Sequence, residues 1–333
     1  MEAPPQRLAV QSMLEIVIAN LTSPMILAFT LGIGAVLIRS DLKFPDALYT
    51  SLSMVLLLAI GLKGGVAIRE SGIATVLRPL AITLILGLLT PLTAYIFARR
   101  VSRFSRADGA ALAAHYGSVS VVTFIASLSF LERLGRNPEP FMPALVAALE
   151  IPAILVALLL YKAREGKGVP LSKVTHEIIA GKSIVLLLGG VLIGFITGRP
   201  GFAKIAPFFE GLFPGLLVLF LLEVGLVCGG RLRDLRRAGL AIVVFALLIP
   251  LLHAVFGAFA GQLGGLSLEG SFVLATMAAS ASYIAAPAAV RIALPEANPG
   301  LYITASLGVT FPFNLSVGIP LYYWFTQLIF GHL

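Results

Sequence analysis

Residues 275–290 read ATMAASASYIAAPAAV, an uncharged stretch in which Ser280, Ser282, Tyr283 and Pro287 interrupt a run of alanines. A second hydroxyl-bearing stretch stands upstream, Tyr116-Gly117-Ser118-Val119-Ser120. Gly and Pro release backbone groups from a helix, and in lipid such groups are tolerated only where they line a cavity or are buried in protein. Two broken helices meeting near a membrane centre are therefore predicted. Each would offer a small anion a half-helix N-terminus, with about half a positive charge and unpaired N–H groups. Serine hydroxyls would orient that anion without a buried cation. For any one serine, close packing of small residues competes with this reading; the paired occurrence favours a site.

Three ionisable residues fall inside apolar runs, where each is costly unless paired or wet. Glu150 precedes Pro152, which frees a backbone carbonyl within a turn of the carboxylate, and hard oxygen donors of this kind suit a small cation. The competing reading is a protonated or snorkelling Glu. Lys63 stands two positions after Gly61, and Glu223 two before Gly225, so antiparallel helices would bring them to the same depth as an ion pair. His115 abuts the first interruption and could act as a proton-sensitive gate, although a lone His in a span is more often a packed hydrogen-bonding residue. His176, His253 and His332 are scattered and suggest no metal site. No Ser/His/Asp set or paired-histidine motif appears, so neither an enzyme nor a bound cofactor is expected.

These residues need elements to carry them. The chain is 58% hydrophobic and 12% charged, with mean hydropathy +0.98, against about 25% charged in an average soluble protein. Apolar runs of the roughly 20 residues that a bilayer requires predict ten spans, near 24–39, 48–69, 73–98, 108–130, 140–161, 181–198, 208–230, 238–263, 269–292 and 299–328, the first and sixth of them short. Residues 8–20 read as an interfacial helix, and the N-terminal stretch lacks the basic start and cleavage site of a signal peptide. Single Cys228 allows no intrachain disulfide. Sixteen of the 24 Lys and Arg fall in loops on one side, seven on the other, and Lys63 within a span. The richer side is cytoplasmic by the positive-inside rule, which turns both termini outward. The +8 net charge thus orients the chain in a plasma (inner) membrane; with no aromatic interleaving and no soluble module, no nucleic-acid partner is expected.

The two halves repeat. IGLKGG (60–65), TPL (90–92), DGAALAAHYGSVSVVTF (108–124) and EIPAIL (150–155) find counterparts in VGLVCGG (224–230), IPL (249–251), EGSFVLATMAASASYIA (269–285) and FPFNL (311–315). Aligning Asp108-Gly109 with Glu269-Gly270 sets Tyr116-Gly117-Ser118-Val119-Ser120 against Met277-Ala278-Ala279-Ser280-Ala281. Five spans per half, an odd number, make the second half enter the membrane from the opposite side, the inverted-repeat plan of many secondary transporters. The expected layout is a first repeat over 1–161, a basic cytoplasmic linker over 162–182 and a second repeat over 183–333, in an all-α polytopic membrane protein.

The stretches GLKGGVAIR (61–69), DGAALAAHYGSVSVVTF (108–124), EIPAIL (150–155) and ASASYIAAPAAVRIALPEANPGLY (279–302) resemble the sodium-dependent bicarbonate transporter family, in order and spacing over nearly the whole chain. The resemblance implies ten spans in two inverted repeats, a homotrimer, bicarbonate between two broken helices, and sodium as the coupling ion beside it. It places Gly117, Ser118, Ser120, Thr123, Ser280 and Ser282 around the anion, and Glu150, Thr310 and Ser282 near the sodium. Cyanobacterial members also bind a PII-like regulator on the cytoplasmic face. They carry an Asp directly after the serine cluster, where this chain has Tyr283, so it resembles a non-cyanobacterial branch whose substrate and coupling ion are open. A sodium or proton symporter for another small carboxylate is the nearest alternative. A cation/proton antiporter is further off, because the breaks carry hydroxyls rather than paired acids.

Overall fold

A computed structural model describes residues 13–165, 176 and 179–331; among these the chain is all helical, without strands. Eight helical segments are long and apolar enough to cross a membrane. They are α3 (Asp46–Ser71), α4 (Ile73–Arg100), α5 (Arg106–Gly117) continued by α6 (Val121–Arg133), α7 (Met142–Glu165), α8 (Lys182–Ala203), α9 (Phe213–Ala238), α10 (Leu240–Gly264) and a last segment, α13 (Pro299–Ile329). Two shorter apolar helices, α2 (Pro24–Leu37) and α11 (Leu268–Ala278), fall where the first and ninth spans were expected. Short helices α1 (Met13–Leu21) and α12 (Ala285–Ala293) complete the set. The expected interfacial helix lies within the described residues only from 13 onward. Of the expected linker, 166–175, 177 and 178 lie outside them.

The sixth segment is longer than its apolar run suggested, because α8 bends at Gly198 (φ 60°) and continues to Ala203. Arg69 of α3 donates from Nη1 to the Phe195 and Ile196 carbonyls, 3.1 and 2.5 Å away, beside that bend. The last segment alternates α-helix with π-helical turns at Thr304–Thr310 and Asn314–Gly318.

Small residues decide which helices pair, because lipid offers no hydrophobic drive between apolar helices and close backbone approach must supply the contact. Gly61 and Gly65 of α3 lie directly on the α8 backbone at Leu187, Gly190 and Val191. Gly225 of α9 lies on Phe29 and Gly32 of α2 in the same way. The first helix of each half thus packs against the second helix of the other half. A second group, α4 to α7 with α10 to α13, forms around the contact of α4 with α10.

The chain passes from one group to the other through single glycines. Gly72 (φ 84°, ψ 143°) separates α3 from α4, and Gly239 (φ 80°, ψ 165°) separates α9 from α10. That backbone region is essentially restricted to glycine.

Within the second group, the broken helices lie deepest. Of the apolar window in Arg106–Arg133, 94% is buried, against 28% for Lys182–Ala203, which faces outward. Their starts are tied down across the halves. Asp108, in the first turn of α5, accepts from the Asn298 backbone N–H at 2.8 Å, while Glu269, in the first turn of α11, pairs with Arg136 at 2.8 Å.

Candidate functional site

Helix α5 ends because Gly117 sits against Pro91 of α4, where a β-carbon would come within 2.6 Å of the proline ring. Ser118 (φ −87°, ψ 178°) and Ser120 (φ −94°, ψ 111°) then run extended. Ser120 restarts the helix as the N-cap of α6, its Oγ accepting from the Thr123 N–H at 3.3 Å. The second break runs from Ala279 to Ile284, which is the N-cap of α12, and two residues before that cap the Ser282 Oγ accepts from the Ala286 N–H at 3.2 Å.

The two breaks touch. Ser280 Oγ accepts the Ser120 backbone N–H at 2.7 Å and donates to the Met277 carbonyl, also at 2.7 Å. The Ser282 N–H donates to the His115 carbonyl at 2.8 Å. Carbonyls released at the breaks find side chains: Gly117 O accepts from Thr90 Oγ1 at 3.1 Å, and Ala279 O from Asn314 Nδ2 at 3.0 Å. Such matching is what irregular backbone inside a membrane requires.

The helix starts favour a register one position away from the Asp108–Glu269 alignment. Ser105 caps α5 and Ser267 caps α11, each accepting from the N–H three residues on; at the breaks Ser120 caps α6, and the Ser282 Oγ accepts from the N–H four residues on, at the start of α12. Both pairs are 162 positions apart, which sets Ser118 against Ser280 and Ser120 against Ser282. Asp108 and Glu269 do not hold equivalent places: one is the third residue of its helix, the other the second. An acid in either place stabilises a first turn.

Between the breaks lies a small cavity lined by Val119, Ser120, Val121, Glu150, Ser183, Ser282, Tyr283 and Ile284. Its volume, about 10 Å³, matches one water-sized guest. Glu150 is 2% exposed. Its Oε2 and the Tyr283 hydroxyl have no hydrogen-bond partner among the described residues, and the same holds for Ser118 Oγ and Thr123 Oγ1 beside the first break. Buried polar groups are ordinarily satisfied, so this concentration of free oxygens marks the site physically. Five side-chain oxygen donors, one of them a carboxylate, suit a small hard cation; an oxyanion of several heavy atoms needs more room than this conformation provides.

The expected residues divide accordingly. Ser120, Ser282 and Glu150 share the cavity, Ser280 binds Ser120, and Ser118 and Thr123 flank them. Gly117 serves as a close contact for Pro91. Thr310 is elsewhere: its hydroxyl donates to Ala246 O at 2.7 Å and bonds the Tyr116 hydroxyl at 2.6 Å. His115 bonds Ala111 O through Nδ1 at 2.7 Å and packs on Tyr302. Among the described residues, no group of three His, Cys, Asp or Glu could hold a metal ion.

The structure gives Lys63 a partner other than the expected Glu223. Lys63 Nζ lies 3.2 Å from Glu210 Oε1, at the wall of an open cavity of about 630 Å³ that includes Glu70, Glu132, Glu139, Arg199 and Phe213. Equal depth did not suffice because the two helices turn their glycine faces to different partners, α8 for Gly61 and α2 for Gly225. Ser183 was not foreseen as a site residue. A lone hydroxyl in the first turn of a helix carries no periodic signal, and only the fold brings it to Glu150.

No curated protein matches the chain. The family model of the Na+-dependent bicarbonate transporter superfamily matches residues 24–327, nearly the whole length. The chain therefore belongs to the Na+-dependent bicarbonate transporter superfamily.

Proposed function

We propose that the protein is a secondary active transporter that couples sodium to the uptake of bicarbonate or a similar small monovalent anion across the plasma (inner) membrane. One observation carries this reading: Val121 at the start of α6 and Ile284 at the start of α12 line one cavity beside the Ser120–Ser280 bond, with Glu150 the single carboxylate in it. The helix ends and the hydroxyls of Ser118, Ser120, Thr123, Ser280 and Ser282 provide donors for an anion. Glu150 and Ser282 provide oxygens for the cation. Thr310, engaged by Tyr116 and Ala246, has the weaker claim.

The exchanged pairing of first and second helices, the matched glycines at 72 and 239 and the reciprocal ties of Asp108 and Glu269 support a ten-span inverted repeat. Both termini then face outward by the distribution of Lys and Arg. A homotrimer and a PII-like regulator on the cytoplasmic face follow from the family likeness alone.

The test is uptake of labelled bicarbonate into proteoliposomes under an inward sodium gradient. Accumulation that collapses without sodium supports the reading. Accumulation of another small carboxylate in place of bicarbonate would move the substrate to the second reading, which Tyr283 at the position of the family acid favours. The absence of paired acids at the breaks weighs against a cation/proton antiporter.

A further inference from the structure

Helix α8 begins at Gly181, which as N-cap offers no side chain to the first turn, so the leading N–H groups of α8 lack a side-chain cap. Ser183, in that turn, is buried, at 4% exposed. Instead of capping its own helix, Ser183 lines the cavity that holds the unpartnered Glu150 Oε2 and Tyr283 hydroxyl. Every other lining residue belongs to α7 or to the broken helices, in the second helix group. Ser183 alone comes from the group of α2, α3, α8 and α9.

From this placement we infer that Ser183 is a ligand of the coupling cation and a determinant of which monovalent cation the protein accepts. The inference rests on the sodium-coupled reading and adds a residue from the opposite helix group. A cavity sized for one water admits a cation only after it has shed its hydration shell, so the lining oxygens must replace that shell. Glu150 supplies the charge; the hydroxyls of Ser120, Ser183, Ser282 and Tyr283 supply neutral donors. Ser120 and Ser282 already use one lone pair each, on the N–H groups of Thr123 and Ala286. Ser183 lies inside the first turn of its helix and is not that helix's cap. A bound cation therefore bridges α8 to the breaks, and its site is complete only where the two groups abut.

The experiment measures thermal stabilisation of the purified full-length protein by NaCl and by LiCl, at constant ionic strength with choline chloride, for wild type, Glu150→Gln, Ser183→Ala and Ser183→Thr. Expected are a saturable sodium response in the wild type, its loss in Glu150→Gln, and a half-saturating sodium concentration raised about tenfold in Ser183→Ala, the size of one lost interaction with a charged group. The sodium-to-lithium preference should change with it, and Ser183→Thr, which keeps the oxygen, should restore both. If Ser183→Ala shifts the melting temperature in choline but leaves the sodium midpoint and cation preference unchanged, Ser183 is structural and the inference is overturned while the sodium reading stands. If the wild type shows no response to any cation, the sodium reading falls and the inference with it.

Discussion

The backbone N–H of Ser120 donates to the side chain of Ser280 at 2.7 Å, so each break is held in shape by the other. Removing the Ser280 hydroxyl leaves a buried backbone donor without its partner, which costs about 1–3 kcal/mol. Ser280→Ala should therefore lower both the melting temperature and the apparent anion affinity. Ser118→Ala, which removes a hydroxyl with no partner, should leave the melting temperature unchanged; if it also leaves uptake unchanged, Ser118 is no anion ligand.

Ser120→Ala and Ser282→Ala test the equivalence of the two serines. Ser120→Ala loses a helix cap, worth about 1 kcal/mol, Ser282→Ala loses the bond to the Ala286 N–H, and each loses a donor to the anion. Apparent affinity for bicarbonate should fall roughly tenfold to a hundredfold in each. Similar losses in uptake assays would agree with the serine-to-serine register; a large effect in one and none in the other would assign the anion to a single break.

Glu150 and Tyr283 share the cavity, and of the two only Glu150 is a carboxylic acid. Uptake by Glu150→Gln should lose its sodium dependence. Tyr283→Asp should steepen it, provided the variant folds. Sodium dependence that survives Glu150→Gln would locate the ion elsewhere.

For Lys63 the structure predicts a small effect. Both partners of the Lys63–Glu210 pair are about half exposed, and such pairs contribute about 0–1 kcal/mol. A double-mutant cycle of Lys63→Met with Glu210→Gln should give a coupling in that range, and one with Glu223→Gln a coupling near zero. A coupling of several kcal/mol to Glu223 would restore the pair expected from depth alone.

Two kinds of glycine should fail differently. At Gly225→Ala the new methyl group meets the Phe29 carbonyl of α2, so the helices must separate; overpacking of this sort typically costs about 1–3 kcal/mol. At Gly239→Ala the methyl group meets nothing, and the cost is backbone strain alone, of order 1–3 kcal/mol. Melting temperatures, compared with Gly225→Ser and Gly239→Asn, separate the causes. Asn reaches positive φ chiefly in the left-handed helical region, so at ψ 165° it should lose about as much as Ala, whereas Ser at 225 should lose more than Ala because its side chain is larger.

Apolar run length made the eight long apolar segments legible, and the glycines and hydroxyls made both breaks legible, because a bilayer punishes free backbone groups wherever they occur. Azimuth was not legible. Lys63 and Glu223 were matched by depth, yet the faces of their helices are set by Gly61 and Gly225 against α8 and α2, contacts that no local pattern announces. The register of the breaks was not legible either, because Asp108 and Glu269 serve a helix start equally well from different positions. Ser183 was invisible for a further reason: its neighbour Glu150 belongs to another helix, and nothing in either segment refers to the other.

The wide cavity at the wall of α3 and α8 carries four carboxylates, Glu70, Glu132, Glu139 and Glu210, against two cations, Lys63 and Arg199. If that face is the outer one, the excess of negative potential works as a kinetic filter. It raises the local sodium concentration above the bulk value and lowers that of the anion, so arrival becomes sequential, the cation first. Screening sets the reach of the effect, about 8 Å at physiological ionic strength. Raising an inert salt should then slow sodium capture and speed anion capture at once, a pair of opposite trends that a neutral mouth would not produce.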